Sequence, residues 1–396
     1  MRSSRFPIAR RQLLVGALSV VPAMKVGLPR ALAQILPEGN TPLWEVEMRD
    51  RDKKIDEIAV LGDGSFALSL FGTEDFSGRV VTRHDAQGNL LWRAELDEYE
   101  IVSVMRAIVP AVGNSRPGLY VSSGFRKLWR LEADGSQQWE RDLFDHVGMY
   151  CQQAMVAHPS GGVVVGGIAS RPTETYMDCQ NCAVVRLAED GSPQWTWWRD
   201  HAWHAFATTI AITGQGTVIA HMMSYNPATG SQGDHCRGPL RPQWTVWIDP
   251  DGRTIQVTPW PDDRRAEAMT LDRAGRLVFY GRTLPERRHF FRVCDAETGT
   301  VLREHVFGEP EPDDWYLPGP RVLNVSKRGV SVLHATGCHE SEIPWGTSIH
   351  TLTPEGSIES LHFGGHCGGT DTAVMFPDGT AFLVCLGHSG LRIPLP

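Results

Sequence analysis

Three glycines, Gly216, Gly275 and Gly329, set a common register along this 396-residue chain. Five residues after them stand His221, Tyr280 and His334; eight residues before them stand Thr208, Glu267 and Arg321. Imidazole, phenol, carboxylate and guanidinium at matched spacing are the groups of proton transfer and anion binding. A neutral histidine can ligate a metal or shuttle a proton, and a carboxylate can orient it. An arginine can clamp an anionic substrate. Read as one pocket, His221, Glu267, Tyr280, Arg321 and His334 form a catalytic set, with His221 and His334 as ligands of a divalent metal. The alternative is a wet channel lined by polar groups that satisfy one another. The two histidines are too far apart for a local metal motif, and neither HExxH nor a nucleophile elbow occurs.

Other residues extend the candidate set. His201-Ala202-Trp203-His204 can stack on and hydrogen-bond a ring-shaped ligand; the alternative is a tryptophan packed between structural units. Asp313-Asp314-Trp315-Tyr316 is an acidic, aromatic lip that suits a cation or a sugar, or simply caps its neighbour. Asp371 and Asp56 fall in the same register as Glu267.

The elements that must position these groups are strands. RHDAQGNLLW at 83, RLEADGSQQW at 130 and RLAEDGSPQW at 186 each read as strand, turn and strand, with looser copies at 247, 293 and 351. The Gly of each turn can take positive φ and close a tight hairpin. A second motif interleaves with it, as in EIAVLGDGSFALSLFG, MVAHPSGGVVVGG and AMTLDRAGRLVFYG. Together they give four strands, A to D, recurring about every 50 residues, the spacing of propeller blades. Blades start near 55, 101, 150, 204, 265, 319 and 370. The reading is an all-β, seven-bladed propeller with no amphipathic helix.

The seventh unit lacks strand D. TPLWEVEMRD at 41 supplies it, because Trp44 falls where Trp92, Trp139 and Trp195 fall. Pairing this strand with the last blade closes the ring and removes two sheet edges. The A–B and C–D turns are short. The B–C and D–A connections share the opposite face and vary widely, which marks that face as the working one.

The D-x-x-G-x-x-x-W pattern from Asp85 to Trp92 resembles the repeat of the quinoprotein-like propellers, which include pyrroloquinoline-quinone dehydrogenases. The resemblance implies the propeller fold and a periplasmic setting. Quinone-binding members have eight blades and an adjacent Cys-Cys pair, absent here, so a bound quinone is not expected and the cofactor stays unknown.

The eight cysteines cluster. Cys151, Cys179, Cys182, Cys236, Cys338 and Cys367 fall in or beside the elaborated loops; Cys294 and Cys385 read as core thiols. Cys338–Cys367 is the natural disulfide, and the other four are expected to pair in an order the sequence does not fix. Cys179-x-x-Cys182 with His235 or Cys236 is also half of a metal site, and a redox pair is a third reading.

Residues 1–33 read as an export signal ending at Ala33, with Arg10-Arg11 resembling the twin-arginine type; residues 34–396 then form a single propeller domain. Its apolar run is under the roughly 20 residues of a membrane span, so the mature form is expected to lack a transmembrane anchor. Removing six basic and no acidic residues takes the formal charge from -8 to -14, which excludes a nucleic-acid ligand. Two classes of function follow. One is a periplasmic cofactor- or metal-dependent enzyme on a small molecule, with an oxidoreductase first and a metal-assisted polysaccharide lyase or hydrolase beside it. The other is a non-catalytic propeller holding a periplasmic protein, which predicts an apolar patch on the rim.

Overall fold

The repeated turn is built by its aspartate and its glycine. Asp85 Oδ1 accepts from the Gln87 and Asn89 N–H groups at 2.9 and 2.8 Å, and Gly88 takes φ +88°. Asp249 bonds its turn in the same way, while Asp134 and Asp190, directly before their glycines, accept from the Ser136 and Ser192 N–H groups. The computed structural model describes residues 43–47, 53–72, 79–96, 108–113, 117–170, 181–199, 205–224, 242–310, 323–336, 346–364, 373–385 and 389–393.

Within these residues, 28 strands form seven four-stranded antiparallel sheets. Six sheets run A-B-C-D in chain order. The seventh joins Ala373–Met375, Ala381–Cys385 and Ser389–Ile393 to Trp44–Glu47, with Trp44 opposite Arg392. The ring is therefore closed by the N-terminal strand. Each A strand touches the A strands of the blades before and after it, including first against seventh, so the A strands form the inner wall of the ring.

Burial follows from this layout. Strand B of blade three, Val163–Ala169, is buried almost throughout, because both of its faces meet other blades. The outer strand Leu90–Leu96 of blade one is largely exposed. The core is thus a set of apolar layers between blades. Phe66 and Leu68 of blade one meet Phe376 and Phe382 of blade seven, and Ala211 and Trp247 of blade four meet Phe279 and Phe290 of blade five. Among the described residues a short helix, α1 (Leu143–Val147), departs from the all-strand expectation. Asp142 caps its N-terminus, and Gly148 ends it in the left-handed conformation.

The signature tryptophan locks blade to blade. Trp92 Nε1 donates to Ala133 O at 2.8 Å, Trp139 Nε1 to Glu189 O at 2.7 Å, and Trp195 Nε1 to Pro250 O at 2.9 Å. Each acceptor lies in the C–D turn of the next blade. The glycine of that turn makes room: a Cβ on Gly135 would lie 2.7 Å from Trp92, and one on Gly252 would lie 2.8 Å from Trp195. Glycine therefore serves both its own hairpin and its neighbour's tryptophan. Gly135→Ala combines φ +85° with this clash, so we expect a loss of about 1–3 kcal/mol in urea unfolding. An unchanged midpoint would show that the indole contact is slack.

Candidate functional site

The expected register is present in the structure, and a bulge explains it. On strand A the pairing slips at Asp56, Gln153, Thr208 and Glu267, each leaving one residue without an opposite number. All four lie eight residues before the A–B glycine. A bulge re-aims its side chain and bends the strand. All four bulges lie near the middle of strand A.

His221 and Tyr280 occupy equivalent places on strand B, opposite Thr209 and Ala268. They do not converge on one pocket, contrary to the expectation. Side chains of a strand alternate between its two faces, and in a blade both faces abut other blades. His221 is fully buried between blades four and five, edge-on to Trp260 and Phe279. Tyr280 leaves the other face of blade five and packs with Leu323 and Val332 of blade six. Its hydroxyl lies 2.7 Å from His289 Nδ1.

The hydrogen bonds around His221 form a consistent chain. Ala266 N–H donates to Gln243 Oε1 at 3.1 Å, which fixes the carbonyl end of that amide. His221 Nε2 lies 3.2 Å from the same oxygen and so carries the proton. Trp260 Nε1 donates to Thr245 Oγ1 at 2.8 Å, and that hydroxyl lies 3.2 Å from His221 Nδ1 as its donor. Burial pushes the His221 pKa down to about 4. It is a neutral histidine with both nitrogens engaged, in place of the expected metal ligand and catalytic group. Gln243, Thr245 and Trp260 were not singled out in the sequence, because nothing in it marks them as partners of His221.

Glu267 stands at the bulge of strand A in blade five. Its side chain is 8% exposed and meets Arg282 Nε at 3.1 Å, with Arg282 Nη2 at 3.4 Å from its second oxygen. Arg265 Nε lies 4.0 Å away. Arg265 and Arg282 stand directly opposite each other on strands A and B. Sequence reasoning missed both, although Arg282 shares the face of Tyr280 two residues earlier. Thr208 Oγ1 donates to His221 O at 3.2 Å and so ties its bulge to strand B.

The fold has solved counterparts. No protein-family model matches the chain, and no curated protein matches its sequence. It resembles virginiamycin B lyase from Staphylococcus aureus at a TM-score of 0.54 and 13% identity, covering 89% of this chain and 99% of the other. It also resembles BBS1N, solved in complex with ARL6DN, at 0.51 and 9%, covering 90% and 97%. A third counterpart is the Dos1 propeller, at 0.51 and 11%, covering 90% and 95%. At these identities the likeness shows the propeller fold alone.

Cys151 and Cys182 are free thiols, against their expected pairing in disulfides. Cys182, the second residue of strand C of blade three, is sealed in the layer toward blade four with Val184 and Ala205, so it is a core thiol with its pKa raised by burial. Cys294 is a free buried thiol, raised to about 11 by burial first of all. Cys179, Cys236, Cys338 and Cys367 lie outside the described residues. So do His201, Trp203, His204, Trp315, Arg321 and Asp371. His334 pairs with Ser348 on strand B of blade six, and its side chain lies outside the description. Among the described residues no three His, Cys, Asp or Glu side chains group as a metal site.

Proposed function

We propose that this chain is an exported seven-bladed propeller that holds an extended segment of a protein partner along the outer edge of blade four. Arg10-Arg11 and the apolar stretch after them support export. The observation that carries the binding role is the edge strand Thr254–Pro259, TIQVTP, which contains no charged residue. The outer strands of the other six blades each contain at least one. Charges on an edge strand normally guard it against pairing with another chain. Ile255 and Val257 are among the exposed large apolar residues, as are Leu302 and Val306 on the outer strand of the next blade. An uncharged edge with apolar side chains suits strand addition, in which main-chain bonds give affinity and side chains give specificity.

Catalysis at the channel end is the second reading, favoured by the bulged Glu267 against Arg282. An oxidoreductase or a lyase would use that same end. The histidine and tyrosine on which this reading most relied are engaged between blades, so it ranks below partner binding. One counterpart structure contains a partner protein and another is a lyase, and neither fact transfers beyond fold.

Val257→Lys tests the binding role. The substitution is on the surface, so thermal unfolding should stay within about 0.5 kcal/mol of wild type. Cross-linked capture of a partner from periplasmic extract should disappear, while Leu91→Lys on blade one should retain it. Equal capture by Val257→Lys would sink the assignment. A dimer in light scattering, lost in Val257→Lys, would give the edge to a second copy of the chain instead.

A further inference from the structure

We infer that Arg265, at the loop-rich end of the inner strand of blade five, is the anchor of a site for a small monoanionic carboxylate. Three charged side chains meet there, and only two of them neutralise each other. Arg282 holds Glu267 through contacts at 3.1 and 3.4 Å, and these two side chains are only 12% and 8% exposed. That pair is close to a neutral unit. Arg265 faces Arg282 across the strand pair, a placement of like charges that costs stability unless something offsets it.

Other arginines of this blade show what an offset looks like. Arg264 and Arg292 share Glu304 at 3.0 and 2.6 Å, and Arg276 meets Asp272 at 2.7 Å. Arg265 reaches Glu267 only at 4.0 Å, beyond hydrogen-bond range, and makes no hydrogen bond among the described residues. Its Nε is closed off from solvent without a partner. Yet the side chain is 41% exposed, so the exposure belongs to the rest of it, which ends in the Nη1/Nη2 fork. Arg265, Arg282 and Glu267 by themselves sum to one positive charge among the described residues.

A planar fork with one uncompensated charge matches a planar ligand with one negative charge. A carboxylate accepts two parallel N–H bonds from a guanidinium, which adds geometry to charge. Glu267 keeps Arg282 from joining, so a dianion would meet only one free cation. Its carboxylate also repels an anion placed too deep, which holds the ligand at the outer side of Arg265. The site is independent of the edge strand of blade four, and its test leaves that strand untouched.

The test follows arginine Nε–Hε resonances of the full mature chain during titration with sodium acetate, chloride replacing it to hold ionic strength constant. The signals of Arg265 and of Arg282 opposite it should shift saturably with one midpoint of order millimolar, the Arg282 signal being the one followed in the variants, and acetamide should leave both in place. Arg265→Gln should abolish that response while the remaining arginine signals and the melting curve stay as in wild type. Arg265→Lys, followed on the Arg282 signal, should weaken it at least tenfold, because a point charge lacks the fork. A saturable shift retained in Arg265→Gln would overturn the assignment, as would a shift that chloride reproduces. A response to inorganic phosphate without one to acetate would also overturn it.

Discussion

Removal of residues 41–48 should leave a protein that unfolds without a sharp transition and aggregates. Trp44–Glu47 contributes four register pairs to strand Ser389–Ile393, and the Leu43 N–H donates to Arg392 O at 2.8 Å. At about 1 kcal/mol net per ladder bond, the pairing alone is worth on the order of 4 kcal/mol. That is a large share of the roughly 5–15 kcal/mol by which native proteins are stable. The deletion also turns Ser389–Ile393 into an exposed edge, a ready template for association. Blades one and seven still share Phe66, Phe376 and Phe382, so the ring is not held by this strand alone. Scanning calorimetry of the mature chain with and without the segment decides the matter. Matching transitions would mean that the apolar layer is sufficient to close the ring.

Ring closure was legible because it is a counting problem. A repeat with strands A to D leaves the seventh unit one strand short, and Trp44 repeats the register of Trp92. The turns were legible for a local reason, since Asp85 and Gly88 act on their own backbone. Convergence of the site was not legible. Equivalent residues on neighbouring B strands share a register, but alternation along a strand decides whether a side chain meets the blade before or the blade after. His221 and Phe279 share one layer, while Tyr280, next to Phe279, belongs to another. Glu267 sits at a bulge, outside that alternation. Its partner Arg282 lies 15 residues away on the adjoining strand, a distance that no local pattern encodes. Cys182 misled for a related reason: it borders a loop insert in sequence, but its position on strand C turns it into the apolar layer.

The pH dependence of stability distinguishes a sealed His221 from a ligand-binding one. Burial lowers its folded pKa from 6.5 to about 4. Between those values the unfolded chain takes up a proton at this site and the folded chain does not. Its contribution is therefore complete above pH 6.5, is lost as pH falls, and levels off below about 4. The full shift corresponds to about 3 kcal/mol. His84 and His158 are also lowered, chiefly by burial, and add a loss of the same sign. Asp63, Asp85 and Glu304 are lowered as well, so their share is lost only toward more acid pH. His221→Gln removes the titrating group. At pH 7.5 it should cost about 1–3 kcal/mol in urea unfolding, because Thr245 and Gln243 lose a buried partner. At pH 4.5 most of that deficit should vanish, because wild type has by then lost its own advantage. Parallel pH curves for the two proteins would mean that His221 is not held neutral between the blades. A wild-type midpoint that dropped on adding a metal chelator, with the variant unaffected, would return His221 to the metal-binding role.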